Sequence, residues 1–259
     1  MITTYIHNEG GFGNKLFQIA ASLSLAKDNN DEIILPEWDY KNFFKNKIKT
    51  DDIVYSLKWD IWKEPGHNFF PIKYTENLRL DGYFQSEKYF KDNSELIKYY
   101  FTPSEEIENY IQNKYGKLLE DETVSIHVRR GDYLWANNRG LFYILDQNYF
   151  YNALKYFDKN IKILCFSDDI KWCKENFKME NIFFIENEKN YVDLFLMSKC
   201  KNNIISNSTF SWWGAWLNQN ENKKIISPNK DKWFGEGWKY HPWGIHNVDD
   251  KVPEEWIKI

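Results

Sequence analysis

The hydrophobic pattern of this chain becomes regular only in its second half. From residue 123 onward, short apolar runs (TVSIHV, IKILCF, NIFFI, NNIIS and KKIIS) alternate with stretches near 147–158, 170–177, 191–199 and 210–218 whose apolar residues recur at helical spacing. In the first of these stretches Tyr149, Phe150, Ala153, Leu154 and Phe157 form one stripe. Strands that are apolar on both faces must be covered on both sides. The pattern therefore predicts a parallel sheet sandwiched by helices and joined by right-handed crossovers.

The first half is less legible. Residues 2–6 (ITTYI) predict a strand, GGFG at 10–13 a tight turn, and NKLFQIAASLSLAK a helix with Leu16, Ile19, Ala20, Leu23 and Ala26 on one face. EIILP at 32–36 predicts a second strand stopped by Pro36, while 37–118, rich in Lys, Asn and aromatics, shows only weak periodicity. The expected fold class is α/β in two units, 1–118 and 119–235, with the tail 236–259 folding back over the first. The polar stretch EIENYIQNKYGKLLEDE around Gly116 is the expected boundary, and no fixed-period repeat is present.

Composition narrows the function. A chain of 259 residues with 42% hydrophobic and 28% charged positions can bury a sizeable core. A net charge of -4 argues against a polyanion-binding surface, so nucleic acid is not an expected partner, although a few arginines can still grip one small anion. Aromatics reach 19%, with Trp212, Trp213, Trp216, Trp233, Trp238 and Trp243 clustered late; they suit core packing or a sugar-binding surface. Cys165, Cys173 and Cys200 lack metal-type spacing and suit reduced, buried thiols. The Asn207-Ser208-Thr209 sequon would matter only in a secretory setting. No basic start leads into an apolar stretch and no window approaches a membrane span, so a cytoplasmic protein is expected.

Ligands of parallel α/β sheets sit at the carboxyl ends of strands, and four unusual segments fall there: GGFGN at 10–14, HVRRGDY at 127–133, FSDD at 166–169 and SNSTFSWWG at 206–214. Gly11 and Gly13 at a helix mouth expose backbone N–H groups, with the Asn14 amide as a further donor; a simple tight turn is the alternative. Ser206, Asn207, Ser208 and Thr209 precede a helix, offering more than capping needs and suiting phosphate oxygens at the positive end of its dipole. An arginine fixed at a strand end can hold a diphosphate bidentately, against the plainer possibility of a solvated turn. Asp168 can accept from the N–H edge of a guanine or cap the following helix. There is no Asp-x-Asp pair and no His/Glu or Cys cluster spaced for a metal, so no metal ion or other cofactor is expected.

Together, GGFGNKLFQIA, HVRRGDY, FSDD and DLFLMSKCKNNIISNSTFSWWGAWLN resemble the α-1,2-fucosyltransferases of glycosyltransferase family eleven, and the bacterial-type members in particular. The resemblance spans residues 9 to 228; HxRRGD alone is shared more widely among fucosyltransferases. It implies a GT-B-like pair of Rossmann-type domains with the nucleotide-sugar site in the cleft between them. It also implies metal-independent transfer of L-fucose from GDP-β-L-fucose to the 2-hydroxyl of a β-galactoside glycan, with inversion. By motif position, Arg129 would hold the β-phosphate, His127 and Asp168 would contact the nucleoside, and Ser206, Ser208 and Thr209 would line the diphosphate beside Asn207 and Phe210. Asn14 and the Gly11–Gly13 turn would face it from the other domain. Arg130 would join the donor site or be buried in a structural ion pair. Asp132 is the candidate base, or else a brace for the arginines. Peripheral association with the inner face of the cytoplasmic membrane stays open, with no clear basic amphipathic helix to mark it. The competing expectations are a non-catalytic carbohydrate-binding module, and a transferase using GDP-mannose or another acceptor position.

Overall fold

The computed structural model describes residues 1–6, 10–137, 140–240 and 247–259. In chain order the elements are β1 (Ile2–Thr4), α1 (Phe12–Asp28), β2 (Asp60–Lys63), β3 (Leu78–Asp81), α2 (Ser94–Tyr100), α3 (Glu105–Leu119), β4 (Thr123–Val128), α4 (Gly131–Asn137), α5 (Gln147–Leu154), β5 (Lys162–Ser167), α6 (Ile170–Asn176), β6 (Ile182–Phe184), α7 (Asn190–Lys199), β7 (Asn202–Ile204), α8 (Thr209–Trp216), β8 (Ile225–Ser227) and β9 (Ile257–Lys258), with short 3-10 turns between. Packing divides the chain into two compact units, Met1–Glu108 with Ile245–Pro253, and Asn109–Gly244 with Glu254–Ile259.

The first unit holds a three-stranded parallel sheet in the order β1-β3-β2. The predicted strand at 32–36 is not one: only Ile33 and Leu35 bridge, to Ile2 and Thr50. Pro36 has no N–H to extend the ladder. α1 begins at Phe12, inside the expected glycine turn, with Gly11 as its N-cap at φ -63 and ψ 171. Much of the stretch 37–93 is irregular, and its aromatic side chains form the core in place of a periodic face. Trp38 stacks on Phe44 with centroids 5.7 Å apart, and Phe44 meets Phe101 at 5.4 Å. The polar stretch expected to be a boundary is α3, whose first turn carries Glu105, Glu106 and Glu108 at the positive end of the helix dipole.

The second unit is the predicted parallel sheet. Six strands, all parallel, run in the order β6-β5-β4-β7-β8-β9. Numbered within the unit this is 3-2-1-4-5-6, the doubly wound arrangement, whose strand order reverses between β4 and β7. β4 is buried along its whole length, and Val124, Ile126 and Val128 pack with Ile163, Cys165, Ile204 and Ile226 beneath Tyr149, Phe150 and Ala153 of α5. Burying each such aliphatic side chain contributes about 1.5–3 kcal/mol.

The tryptophans of α8 are core. Trp212 and Trp213 are at most 1% exposed, and Trp212 packs on Trp213, Trp216 and Trp256. Trp233 is buried as well, whereas Trp243 lies outside the described residues. Gly214 lets α8 close on α7, since a Cβ there would stand 2.9 Å from the Met197 Cβ. All three cysteines are free and buried. Beyond residue 123 two elements escape the hydrophobic pattern: α4, which begins within RRGD, and β9, too short to show a period.

Candidate active site

The order reversal of a doubly wound sheet opens a crevice outside the carboxyl ends of its strands. Here the first strand of the unit ends in Val128, Arg129 and Arg130, while β7 is followed by Ser206, Asn207 and Ser208. His127 ties the two together, its Nδ1 lying 2.9 Å from Ser206 Oγ, and its ring lies 5.4 Å from that of Phe210. Burial drives the imidazole pKa well below its ordinary range, with Asp168 opposing this and Arg129 reinforcing it. His127 is therefore neutral, a fixed donor–acceptor rather than a cation.

The two adjacent arginines separate into different tasks. Arg129 stands between two carboxylates, Nη2 2.6 Å from Asp132 Oδ1 and Nη1 2.9 Å from Asp168 Oδ2, with its side chain 31% exposed. These contacts engage two of the five N–H groups of the guanidinium, which keeps donors for an anion. Arg130 turns the other way: its Nε donates to Asp169 Oδ2 at 3.1 Å and its guanidinium lies 4.2 Å from the Trp172 ring centre. Asp169 also caps α6 by accepting from the Trp172 N–H. Arg130 is thus paired with Asp169, which is also the N-cap of α6.

Asp168 is the hub. Besides Arg129, it accepts from the backbone N–H of Arg130 at 2.8 Å. The glycine of RRGD follows from this, because a Cβ on Gly131 would lie 2.7 Å from Asp168 Oδ2. Asp132, expected on the arginine loop, instead sits in the first turn of α4, which helps hold it against Arg129.

The hydroxyl segment splits similarly. Ser208 caps α8 by accepting from the Phe210 N–H, and Ser206 Oγ also reaches Ser211 Oγ at 3.4 Å. Thr209 opens α8 and is half-buried. Asn207 is a brace: its side-chain amide donates to the backbone carbonyls of Tyr143 and Trp233, both at 2.9 Å, and its backbone carbonyl accepts from the Tyr133 hydroxyl at 2.7 Å. Both side-chain N–H groups of Asn207 are thereby engaged.

In the first unit, a Cβ on Gly11 would meet nothing within 4 Å, so neither strain nor the chain's own packing requires a glycine there. Gly13 is buried in the first turn of α1. Asn14 Oδ1 accepts from Gln85 Nε2 at 2.9 Å. Sequence reasoning missed Gln85, which carried no motif, and passed over Tyr133 and Asp169 although both lay inside quoted motifs. Among the described residues no group of three or more His, Cys, Asp or Glu is placed to hold a metal ion, and no helix is long and apolar enough to cross a membrane.

Comparison with known proteins follows the same lines. The model of glycosyl transferase family 11 matches residues 6–243. The chain is 38% identical over 167 residues to the O-antigen biosynthesis glycosyltransferase WbnK of Escherichia coli, a match that spans 60% of this chain and only 55% of the relative. It is 30% identical to the alpha-1,2-colitosyltransferase of Escherichia coli over 96% of each chain. It is 26% identical to human galactoside alpha-(1,2)-fucosyltransferase 1, over 83% of this chain and 65% of that one. The solved structure of POFUT1 in complex with GDP-fucose matches with a TM-score of 0.59 at 14% identity, covering 87% of this chain and 97% of that one. That likeness shows the fold, which is GT-B-like.

Proposed function

Because the chain belongs to glycosyl transferase family 11, we propose that it transfers L-fucose from GDP-β-L-fucose to the 2-hydroxyl of a β-galactoside glycan, inverting to an α-1,2 linkage. The observation that carries this is Arg129: a partly exposed guanidinium, held by Asp132 and Asp168, at the strand-order reversal of a doubly wound sheet.

Breaking the glycosidic C–O bond of a nucleotide sugar leaves negative charge on the diphosphate and positive charge on the ring. Donors already aimed at the developing charge need no reorganisation, and removing one such donor typically costs about 10²–10³ in kcat. Arg129 supplies that donor, and the start of α8, with Ser206, Ser208 and Thr209, adds the positive end of a helix dipole. Asp168 holds the guanidinium and keeps acceptor lone pairs for the N–H edge of guanine. Neutral His127, fixed by Ser206, contacts the nucleoside without adding charge.

The acceptor hydroxyl loses a proton, and Asp132 is the base in this reading. Phosphate oxygens on the remaining N–H groups of Arg129 share its positive charge, which weakens the Asp132 pair and frees the carboxylate to accept. In this scheme the guanidinium takes the place a divalent ion would occupy on the diphosphate, so transfer is metal-independent and survives chelator.

A second donor is favoured by one specific finding, the match to a colitosyltransferase over 96% of both chains. Colitose is L-fucose without its 3-hydroxyl, so a single pocket contact would separate the two. The binding-module alternative is weakened, because four of the six tryptophans that suggested it, Trp212, Trp213, Trp216 and Trp233, are buried. Incubating the protein with GDP-fucose or GDP-colitose, a panel of galactosides and EDTA, followed by linkage analysis of the product, tests the reading. An α-1,2-linked fucose supports it, and an α-1,2-linked colitose in its place supports the second donor. No product from either donor, or product only when magnesium or manganese is added, contradicts it.

A further inference from the structure

Among the described residues Trp135 is the most exposed large hydrophobic side chain, at 85%, ahead of Tyr55 at 60%. It makes no hydrogen bond or ring contact with another described residue. Packing therefore gives no reason for a tryptophan at this position. Holding a large ring in water is unfavourable, and burial relieves Trp212 and Trp213 of α8 of that penalty.

The placement of the ring follows from α4. Tyr133 pins this helix: it is buried, its ring stacks on Phe142 with centroids 4.2 Å apart and planes at 6°, and its hydroxyl donates to the Asn207 backbone carbonyl. A helix turns about 100° per residue, so with Tyr133 facing inward Asp132 lies about 100° to one side and Trp135 about 160° in the same sense. The two are i, i+3 neighbours, and their Cβ atoms stand about 5–6 Å apart. Asp132 in turn pairs with Arg129. Indole, carboxylate and guanidinium thus share one face, and all three belong to the second unit.

An occupant of this face has to be apolar over the indole and rich in hydroxyls beside it. A lipid surface fits poorly, because it would strip water from Asp132 and Arg129, whose side chains are 64% and 31% exposed, and offer no hydrogen bonds in return. A pyranose fits both halves: C–H groups on one ring face lie on the aromatic plane while hydroxyls at the rim donate and accept. Galactose suits it in particular, since the face opposite its axial 4-hydroxyl carries C–H groups at positions 3, 4 and 5.

We infer that Trp135 is an acceptor-binding residue, the platform on which the acceptor galactose stacks while its 2-hydroxyl meets Asp132. The identity of the sugar rests on the proposed function; the choice of a pyranose rests on the face of α4.

Steady-state kinetics with varied acceptor and saturating GDP-fucose test the platform. Trp135→Ala raises KM for a β-galactoside about 10-fold, as expected for one lost stacking contact. kcat, the KM for GDP-fucose and the melting temperature stay unchanged, because the ring binds ground state and transition state alike. Trp135→Phe, still an aromatic plane, keeps most of the affinity. An acceptor KM that Trp135→Ala leaves in place overturns the proposal, whether or not the variant loses self-association or vesicle binding instead. A donor KM raised as much as the acceptor KM overturns it too. A donor-free measurement separates this from the functional reading. The indole Nε1 ¹H–¹⁵N resonance that vanishes in Trp135→Phe belongs to Trp135, and it shifts when methyl β-galactoside is titrated into the wild-type protein. If it stays in place, the platform is refuted even when transfer to galactosides is confirmed. If it shifts in a protein that transfers no sugar, the platform stands and the functional reading falls.

Discussion

The two units present candidate binding residues in opposite ways. In the second, Arg129 is delivered by a fully buried six-residue strand in a regular sheet, and its orientation follows from local partners three and thirty-nine residues away in sequence, Asp132 and Asp168. In the first, Asn14 opens a buried helix and meets Gln85, which follows the left-handed Phe84 and also meets Lys251 from a distant segment. One arrangement is a product of topology, the other of buried polar contacts. A regular sheet tolerates small repacking, whereas a buried polar network depends on every member being satisfied.

Substitutions can break that contrast. The largest effect is expected for Arg129→Ala, which lowers kcat about 10²–10³-fold with an unchanged melting temperature, since its partners are solvent-accessible; steady-state kinetics and calorimetry check it together. Gly131→Ala comes next. Its Cβ would push on Asp168, and the resulting shift of the guanidinium lowers kcat between about 10- and 10²-fold; activity near wild type would mean that Asp168 does not position Arg129. Arg130→Ala sharpens the contrast within one dipeptide. It leaves the Asp169 carboxylate and Trp172 without their partner and costs about 1–3 kcal/mol of stability by chemical denaturation, while kcat changes far less than in Arg129→Ala.

A pH dependence is expected in the other unit. Burial pulls Lys251 from 10.5 down to about 8. Below the lower value both folded and unfolded chains hold the proton and the penalty is fully present; between the two values the unfolded chain binds more protons, so stability rises with pH. Wild type minus Lys251→Met should show this rise between pH 8 and 10.5 in denaturant titrations, and a flat difference would place the lysine in a less buried setting.

The same contrast explains what the sequence disclosed. Every predicted strand and helix after residue 123 exists within a few positions, because a sheet covered on both faces writes continuous apolar runs and its covering helices write stripes. α4 and β9 were missed, the first because its glycine and charged residues imitate a turn and the second because two residues carry no period. In the irregular part of the first unit, rings such as Trp38, Phe44 and Phe101 reach the core from backbone without a repeat. Of the site, the arginine pair and Asp168 were legible as a motif, and the division of labour between Arg129 and Arg130 was not. It depends on Asp169 and Trp172, which lie about forty residues downstream and come near only through β5 and α6. Gln85 and Lys251 left no trace, since a single Gln and a single Lys in polar segments look like any others.

The central claim is that one guanidinium receives the charge leaving with GDP. A crystal structure of the protein grown with GDP and EDTA tests it most directly. β-Phosphate oxygens are expected within hydrogen-bond distance, about 2.7–3.2 Å, of the Arg129 Nη atoms. A diphosphate bound away from Arg129, or GDP that binds only when a divalent cation is restored, would contradict it.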